Sequence, residues 1–563
     1  MDASSQTSAF ASFRPQLLRS LRDYDRERFF KDLTAGATVG IVALPLAMAF
    51  AMASGLRPEA GIFTAVIAGF LISLLGGSRV QIGGPAGAFI VIVYGILERY
   101  GLSNLIVATA MSGVMLFVMG LLKLGTLIRF IPIAVVIGFT NGIAVLIGLS
   151  QIKDFLGLKV TAMPADFFGI LSTLSRSLST VNPHAVAIAV VSLSLIVLWQ
   201  AMPSKIFPDP ALRRRLSVLP GSVIALILTT LSVWLLDLQV DTIGSRFGGI
   251  ASALPSFAWP DLSWNSLHLL IVPATTLALL GAIESLLCAR VADNMIGSRH
   301  NPNQELMAQG IANVITPFFG GMPATGTIAR TVTNIKSGAT SPVAGIVHAL
   351  TLLLIVLVAA PLAQNVPLAT LAAILMFVAW NMGEWRAFVH LRQYRIPYRI
   401  TLLAVFFLTV VFDLTLAVKV GLIAACLTFI YRISSLTRCE PVSALDQPLL
   451  RDQSGQVSAY RLYGALFFGA VKLIETIEAS LPRQVLVLDL KNIIYVDSSG
   501  ADSLLDLVRT CRKNSVRLIV CGLNTQPLDI ARRSGLLDQI AAENLCPDLA
   551  GGLALAAAPQ AAR

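Results

Sequence analysis

Two stretches place glycine, proline and alanine where an apolar helix would otherwise run on. One is QIGGPAGA at 81–88, just after Gly76 and Gly77, and the other is FGGMPATGT at 319–327. A helix that begins within lipid leaves its first N–H groups without acceptors, so those groups must face a cavity or a ligand. The positive end of the helix dipole favours an anion there. Ala86, Gly87 and Ala88 permit close approach to the backbone at the first break. Two charged residues lie in otherwise apolar surroundings. Glu284 is the only carboxylate of TTLALLGAIESLLCA at 275–289, and Arg330 stands inside the second short segment. An acid in such a helix is costly and marks function, here the exchange of protons that coupled transport needs. Arg330 adds positive charge beside the helix starts. One glycine pair alone reads equally as close helix packing, and a Glu284–Arg330 ion pair would account for both charges structurally. Two matched breaks favour a binding site. Phe50, closing the run 43–50, reads as helix packing by periodicity.

The surrounding elements must be membrane helices. The chain has 563 residues, of which 55% are hydrophobic and 13% charged, about half the charge of a water-soluble protein. Apolar runs such as 33–54, 106–122, 131–149, 185–198 and 350–360 suit bilayer crossings. About fourteen segments emerge, centred near 44, 68, 92, 113, 140, 192, 228, 278, 312, 330, 352, 374, 406 and 424. Each break falls third in a group of seven. Seven is odd, so the second group enters the membrane inverted, and paired interruptions in inverted halves point to a midplane site.

Charge sets the orientation. Lys205, Arg213, Arg214, Arg215, Arg386, Arg392, Arg395 and Arg399 fall in loops of one side, with Lys123 and Arg129. The opposite loop at 237–268 holds Asp237, Asp241 and Asp261 against Arg246. Basic residues are retained in the cytoplasm, so both termini are expected there. No signal peptide is read at the start. Residues 440–563 hold 12 basic and 13 acidic side chains, so the formal excess of +11 belongs to the membrane part. A nucleic-acid partner is not needed. Six cysteines without CxxC spacing and five scattered histidines suggest no metal site, no disulfide framework and no cofactor. With no nucleophile–base pair or nucleotide loop, an enzyme is not expected.

The sequence divides into a cytoplasmic segment at 1–32, a transport domain at 33–436, an α/β domain at 440–550 and an Ala-rich disordered tail at 551–563. In the third part, QVLVLDL at 484–490 and the run 516–521 read as buried strands, 461–470 as a short strand, and 502–511 and 526–534 as helices.

These residues resemble the sulfate permease (SulP) family, bacterial relatives of solute carrier family 26. The stretches that carry the likeness are 40–61, 83–88, 281–293, 303–310, 319–336 and 339–348. The turn Asp497-Ser-Ser-Gly500 after a buried strand resembles a STAS domain. The resemblance implies a polytopic helical protein of about 14 transmembrane segments in a seven-plus-seven inverted repeat, followed by a cytoplasmic α/β STAS domain. Spans 1–4 and 8–11 would form a substrate-carrying core and spans 5–7 and 12–14 a gate, with elevator-type transport and a homodimer. Carried over by motif, Phe50, Ala86, Gly87, Ala88, Thr327, Ala329 and Arg330 would surround the anion, and Glu284 would couple protons. Some relatives have a hydroxyl residue where Ala329 stands, which leaves its backbone N–H as the contact.

The stretches 151–157, 237–265 and 378–382 look most like the C4-dicarboxylate branch. The leading expectation is therefore proton-coupled uptake of succinate, fumarate or aspartate across a bacterial inner membrane. The alternatives are a sulfate or bicarbonate symporter, an anion exchanger or an anion channel. In free STAS proteins a serine of this turn is phosphorylated, which makes Ser498 and Ser499 candidate regulatory positions and a cytoplasmic protein a candidate partner; the competing role is to cap the helix expected near Ala501.

Overall fold

Backbone groups that meet lipid must be satisfied within the chain, and apolar runs do this as helices. The computed structural model describes residues 13–126, 132–160, 163–164, 166–201, 220–249, 257, 259, 264–412, 414–443, 447, 450, 456–468 and 471–558. Two compact units divide the chain, Met1–Leu422 and Ile423–Arg563. The first half of the helices comprises α1 (Arg26–Ala53), α2 (Pro58–Leu75), α3 (Ile90–Leu121), α4 (Ile133–Phe155), α5 (Phe167–Ser177), α6 (Pro183–Ala201) and α7 (Gly221–Leu236). There follow α8 (Trp264–Ile296), α9 (Pro302–Ile315), α10 (Ile328–Lys336), α11 (Val343–Ala359), α12 (Leu368–Met382), α13 (Ile396–Val411) and α14 (Leu414–Leu436). Every segment centre expected from hydropathy falls inside one of them.

Local chemistry sets the helix ends. The Asp25 carboxylate accepts the Arg28 N–H at the start of α1, Pro58 opens α2, and the Asn301 side chain accepts N–H groups at the start of α9. The segments expected at 92 and 113 are continuous in α3, divided by Gly101, whose φ of 81° only glycine adopts readily. The α5 and α6 stretches meet at a bend of 116°. Among the described residues, five helices are long and apolar enough to cross a bilayer by themselves. Large apolar side chains such as Trp234, Leu354 and Phe407 stay exposed, as a lipid-facing surface requires.

Packing sorts the helices into two groups. Helices α1–α3 and α8–α11 pack on one another, while α4, α6, α7, α12 and α13 make a second cluster. Helices α3 and α9 approach closely in the first group. A methyl built on Gly113 would lie 2.6 Å from the Val314 nitrogen, and one on Gly310 would lie 2.5 Å from the Phe117 nitrogen. Small residues let two backbones touch where lipid gives no hydrophobic drive. Two buried carboxylates tie the halves together. Glu305 of α9 accepts from the Gly77 and Ser78 N–H groups at 2.8 and 3.0 Å. Asp32 of α1 accepts from the Thr340 and Ser341 N–H groups at 2.6 and 3.2 Å.

The second unit carries a five-stranded sheet of β3 (Arg438–Pro441), β4 (Val457–Leu466), β5 (Val485–Val496), β6 (Arg517–Cys521) and β7 (Leu545–Cys546), in that spatial order; the two-residue strands β1 (Gly83–Gly84) and β2 (Thr325–Gly326) belong to the first unit. The β3–β4 pair is antiparallel and the others are parallel. Alternation along β5 explains its unbroken apolar run. Leu486 and Leu488 face a core shared with α15 (Val471–Ala479) and α16 (Ser498–Lys513). Val485 and Val487 face the opposite core, built with Leu549 and Leu553. Burial pushes the Cys511 thiol up to about 11 and the Cys521 thiol up to about 12, which fits packed rather than reactive cysteines.

Three expectations change. The tail from 551 is not unstructured throughout, because Leu549–Ala557 forms a helix capped by Asp548, whose Leu549 and Leu553 cover one sheet face. The α16 helix starts at Ser498 rather than near Ala501, and Asp497 caps it by accepting the Gly500 N–H at 2.8 Å. Ser498 and Ser499 thus occupy its first turn, Ser498 exposed, and neither is the cap. The sheet domain also begins earlier than 440, at Arg438. Lys205, Arg213, Arg214, Arg215, Arg129 and Asp261 lie outside the described residues.

Overpacking a tight helix contact costs about 1–3 kcal/mol. Gly113→Ala is therefore expected to lower the melting temperature of the detergent-solubilised protein by several degrees. Gly95→Ala is the control, since a methyl there meets nothing within 4 Å. Equal melting curves for the two variants would show that the α3–α9 contact is not rate- or stability-setting.

Candidate functional site

The two sequence breaks meet. Gly83–Gly84 (β1) pairs antiparallel with Thr325–Gly326 (β2), Gly83 opposite Gly326 and Gly84 opposite Thr325. The chain leaves β1 through a single turn at Gly87–Phe89 into α3, and leaves β2 directly into α10. The ladder continues with Thr327, whose N–H and hydroxyl both donate to the Ile82 carbonyl at 2.9 Å. In return the Ile82 N–H donates to the Thr331 hydroxyl at 3.0 Å.

Buried side chains complete this pairing. The Gln81 amide donates to the Ser285 hydroxyl at 2.9 Å, and the Asn334 amide to the Val80 carbonyl at 2.9 Å. Asn313 grips Ala324 from both sides, accepting its N–H at 2.8 Å and donating to its carbonyl at 2.9 Å. The Thr325 hydroxyl donates to the Gly281 carbonyl at 3.0 Å, which fastens β2 to α8. Each of these groups would be costly in lipid without its partner.

The expected site residues gather around the ladder, with differences in exposure. Ala86, Gly87, Ala88 and Thr327 are buried, and Phe50 is 6% exposed. A methyl on Gly87 would sit 3.4 Å from the Phe50 ring, 3.5 Å from Ile147 and 3.7 Å from the Met382 sulfur. Phe50 thus stands beside the first break, where residues of both helix clusters converge. Ala329 is exposed, together with Ile328, so the start of α10 is open to solvent on that side.

Arg330 is the largest fully buried side chain described. All three of its guanidinium nitrogens lack a hydrogen-bond partner among the described residues. It lies against β1, where a methyl on Gly84 would come within 2.5 Å of its Nη1. The ion pair with Glu284 does not form. Glu284 is half-buried and has no partner among the described residues. Its place on α8 is nevertheless close to the ladder, since Gly281, Ser285 and Cys288 on the same helical face bond Thr325, Gln81 and Thr331.

Sequence reasoning passed over His348. Its ring is buried on α11, and neither nitrogen has a partner among the described residues. A methyl on Gly69 would lie 3.4 Å from that ring and 3.1 Å from the Gly83 carbonyl oxygen, so His348 borders β1 as Arg330 does. The signal in the sequence was a lone histidine in an apolar helix. Gln81, Asn313 and Asn334 were also unassigned, because their partners are distant in sequence. Among the described residues no group of three potential ligands is placed to hold a metal ion.

The profile of the sulfate permease family matches residues 29–404, and that of the STAS domain matches residues 449–551. YvdB of Bacillus subtilis (strain 168), which carries a provisional sulfate-transporter name, is 42% identical over 527 residues, spanning 92% of this chain and 96% of YvdB. The solved transmembrane domain of a cyanobacterial bicarbonate transporter, BicA, is similar at 33% identity with a TM-score of 0.61, over 71% of this chain and 98% of that one. Murine Solute Carrier 26 family member A9 shares the fold, with a TM-score of 0.86 at 18% identity over 98% of this chain and 96% of that one.

Gly84→Ala tests whether the ladder positions Arg330, since the added methyl meets Nη1 and the backbone there has a φ of 155°. Displacing one charged contact costs about 1.5–3 kcal/mol, so the affinity for a radiolabelled small anion measured by scintillation proximity should fall roughly tenfold or more, with the gel-filtration profile unchanged. Wild-type affinity in this variant would detach Gly84 from the site.

Proposed function

The chain belongs to the sulfate permease family, and from that membership we propose that it is a secondary active transporter of small oxyanions, sulfate or bicarbonate. One observation supports the reading most directly. A buried guanidinium without a partner stands beside two interrupted helices whose starts carry positive dipole ends. A buried charge is costly unless paired, so this arrangement calls for an anion. Sulfate and bicarbonate come from the names of the relatives. The C4-dicarboxylate reading draws no support from these relatives and takes second place.

In the proposed mechanism the anion lies among Phe50, Ala86, Gly87, Ala88, Thr327, Ala329 and Arg330. Helices α1–α3 and α8–α11 carry it past the second cluster in an elevator-like movement. The site suits this, because Gly87 of the first cluster faces Ile147 and Met382 of the second. Glu284 is the proposed proton carrier. It has no fixed partner and is free to bind and release a proton as the anion moves. We place the protein in a plasma membrane with both termini in the cytoplasm, as a homodimer, and the STAS domain as the part that meets cytoplasmic partners, with Ser498 and Ser499 on its exposed turn.

Radiolabelled uptake into proteoliposomes tests the proposal, comparing sulfate, bicarbonate and succinate at two pH values. Sulfate or bicarbonate should accumulate against a gradient and a protonophore should abolish it; succinate as the sole substrate would overturn the assignment, and passive equilibration would indicate a channel. Arg330→Ala should weaken sulfate binding by roughly 10- to 100-fold, from the loss of a charged contact. Glu284→Gln should keep anion binding yet lose the stimulation of uptake by an inward proton gradient. Full proton-driven accumulation by that variant would remove Glu284 from coupling.

A further inference from the structure

The segment linking α12 to α13 begins just after Met382, which faces Gly87, and carries a cluster of cations outside the proposed anion-site residues. Residues 383–399 hold Arg386, Arg392, Arg395 and Arg399 against a single carboxylate, Glu384. Arg399 is committed to structure, donating to the Tyr394 carbonyl at 2.6 Å and to the Arg392 carbonyl. The guanidinium groups of Arg386, Arg392 and Arg395 are exposed and have no hydrogen-bond or ion-pair partner among the described residues. Arg386 lines a cleft of about 570 Å³ with Trp380, Glu384, Trp385, His390 and Tyr394, and Arg392 and Arg395 flank Tyr394 in the sequence.

The cleft is built rather than collapsed. The rings of Trp380 and Trp385 stack at 5.5 Å, held by the Trp385 indole N–H donating to the Trp380 carbonyl at 2.7 Å. Tyr394 stacks on Tyr398 at 4.3 Å. Trp380 is nonetheless 67% exposed, at the end of a membrane helix. Beside the arginines, Val389, Ile396 and Ile400 are exposed by 78%, 66% and 62%. Tryptophan and tyrosine settle at the headgroup level of a bilayer, and basic pockets there bind anionic headgroups.

We propose that this cleft is a binding site for an anionic phospholipid. The phosphate lies against Arg386 in the cleft, whose guanidinium suits its geometry, Arg392 and Arg395 add positive charge from the same segment, and the acyl chains run along Trp380, Ile396 and Ile400. The exposed apolar side chains next to the free arginines select a lipid over a soluble phosphate ester, which would leave them in water.

The tryptophan pair supplies the reporter. The full-length protein is placed in nanodiscs containing either brominated phosphatidylglycerol or brominated phosphatidylcholine at equal mole fraction, and tryptophan quenching is compared. Phosphatidylglycerol should quench at an apparent affinity about fivefold or more above phosphatidylcholine. That preference should vanish in the R386Q/R392Q/R395Q variant and also in W380F/W385F, where the quenching that remains, from Trp234 among others, should be equal for the two lipids. Soluble glycerol phosphate should not relieve the quenching. Equal quenching by both lipids in the wild-type protein overturns the proposal without reference to any variant. An unchanged preference in the triple arginine variant overturns it too, and relief by glycerol phosphate assigns the cleft to a soluble ester instead.

Discussion

A backbone group inside a membrane cannot be left to water, and the first unit is arranged around that constraint. The chain stops being helical in mid-structure at two stretches, 81–88 and 319–327, and each would leave donors and acceptors unpaired. They meet as the β1–β2 ladder, extended by Thr327 and Ile82. Gln81, Asn313, Thr331 and Asn334 take up the groups the ladder does not reach. Removing any of these partners leaves a buried polar group unpaired, which costs more than the bond contributes when formed.

The same constraint explains why the repeats interlock. Glu305 belongs to the second half and receives N–H groups at 77–78 in the first. Asp32 belongs to the first half and receives N–H groups at 340–341 in the second. Each carboxylate is buried, and each is compensated by linker N–H groups that would otherwise have no acceptor. Neither half can satisfy its own linkers, so the first helix cluster is one cooperative body. A body of that kind can move as a unit past α4, α6, α7, α12 and α13, whereas two loosely joined halves would shear.

Hydropathy made the helices legible because length in a bilayer is an absolute requirement, and each expected centre lies within a helix. The breaks were legible for a related reason, since glycine and proline have little business in a spanning segment otherwise. The contacts across the breaks were not. Gly83 and Gly326 pair across more than half the sequence length of the transport domain, and a single sequence carries no record of such proximity. Buried polar residues were misjudged in the same way: Asn313 or His348 looks like any isolated polar residue until its neighbours are known. In the second unit the strands of 484–490 and 516–521 were readable from apolar runs, whereas the helix at Leu549–Ala557 was lost in an alanine-rich composition without an obvious periodicity.

The structure also moves the weight of the anion argument. From sequence alone, the demand for a ligand rests on free N–H groups at two helix starts. Here the chain preceding each start is paired through the ladder, so part of that demand is met inside the protein. What stays unmet is on side chains. Among the described residues Arg330 has three unpaired nitrogens and His348 two, and both border the same strand. Hydrogen bonding between peptide groups is nearly neutral in charge, so it cannot discharge a buried guanidinium. An anion can, and a dianion does so with charge to spare. The selectivity of the proposed site is therefore better sought in Arg330 and its neighbours than in the glycines that first drew attention. Those glycines have a different task, which is to bring two backbones and one guanidinium close enough to share a single small space.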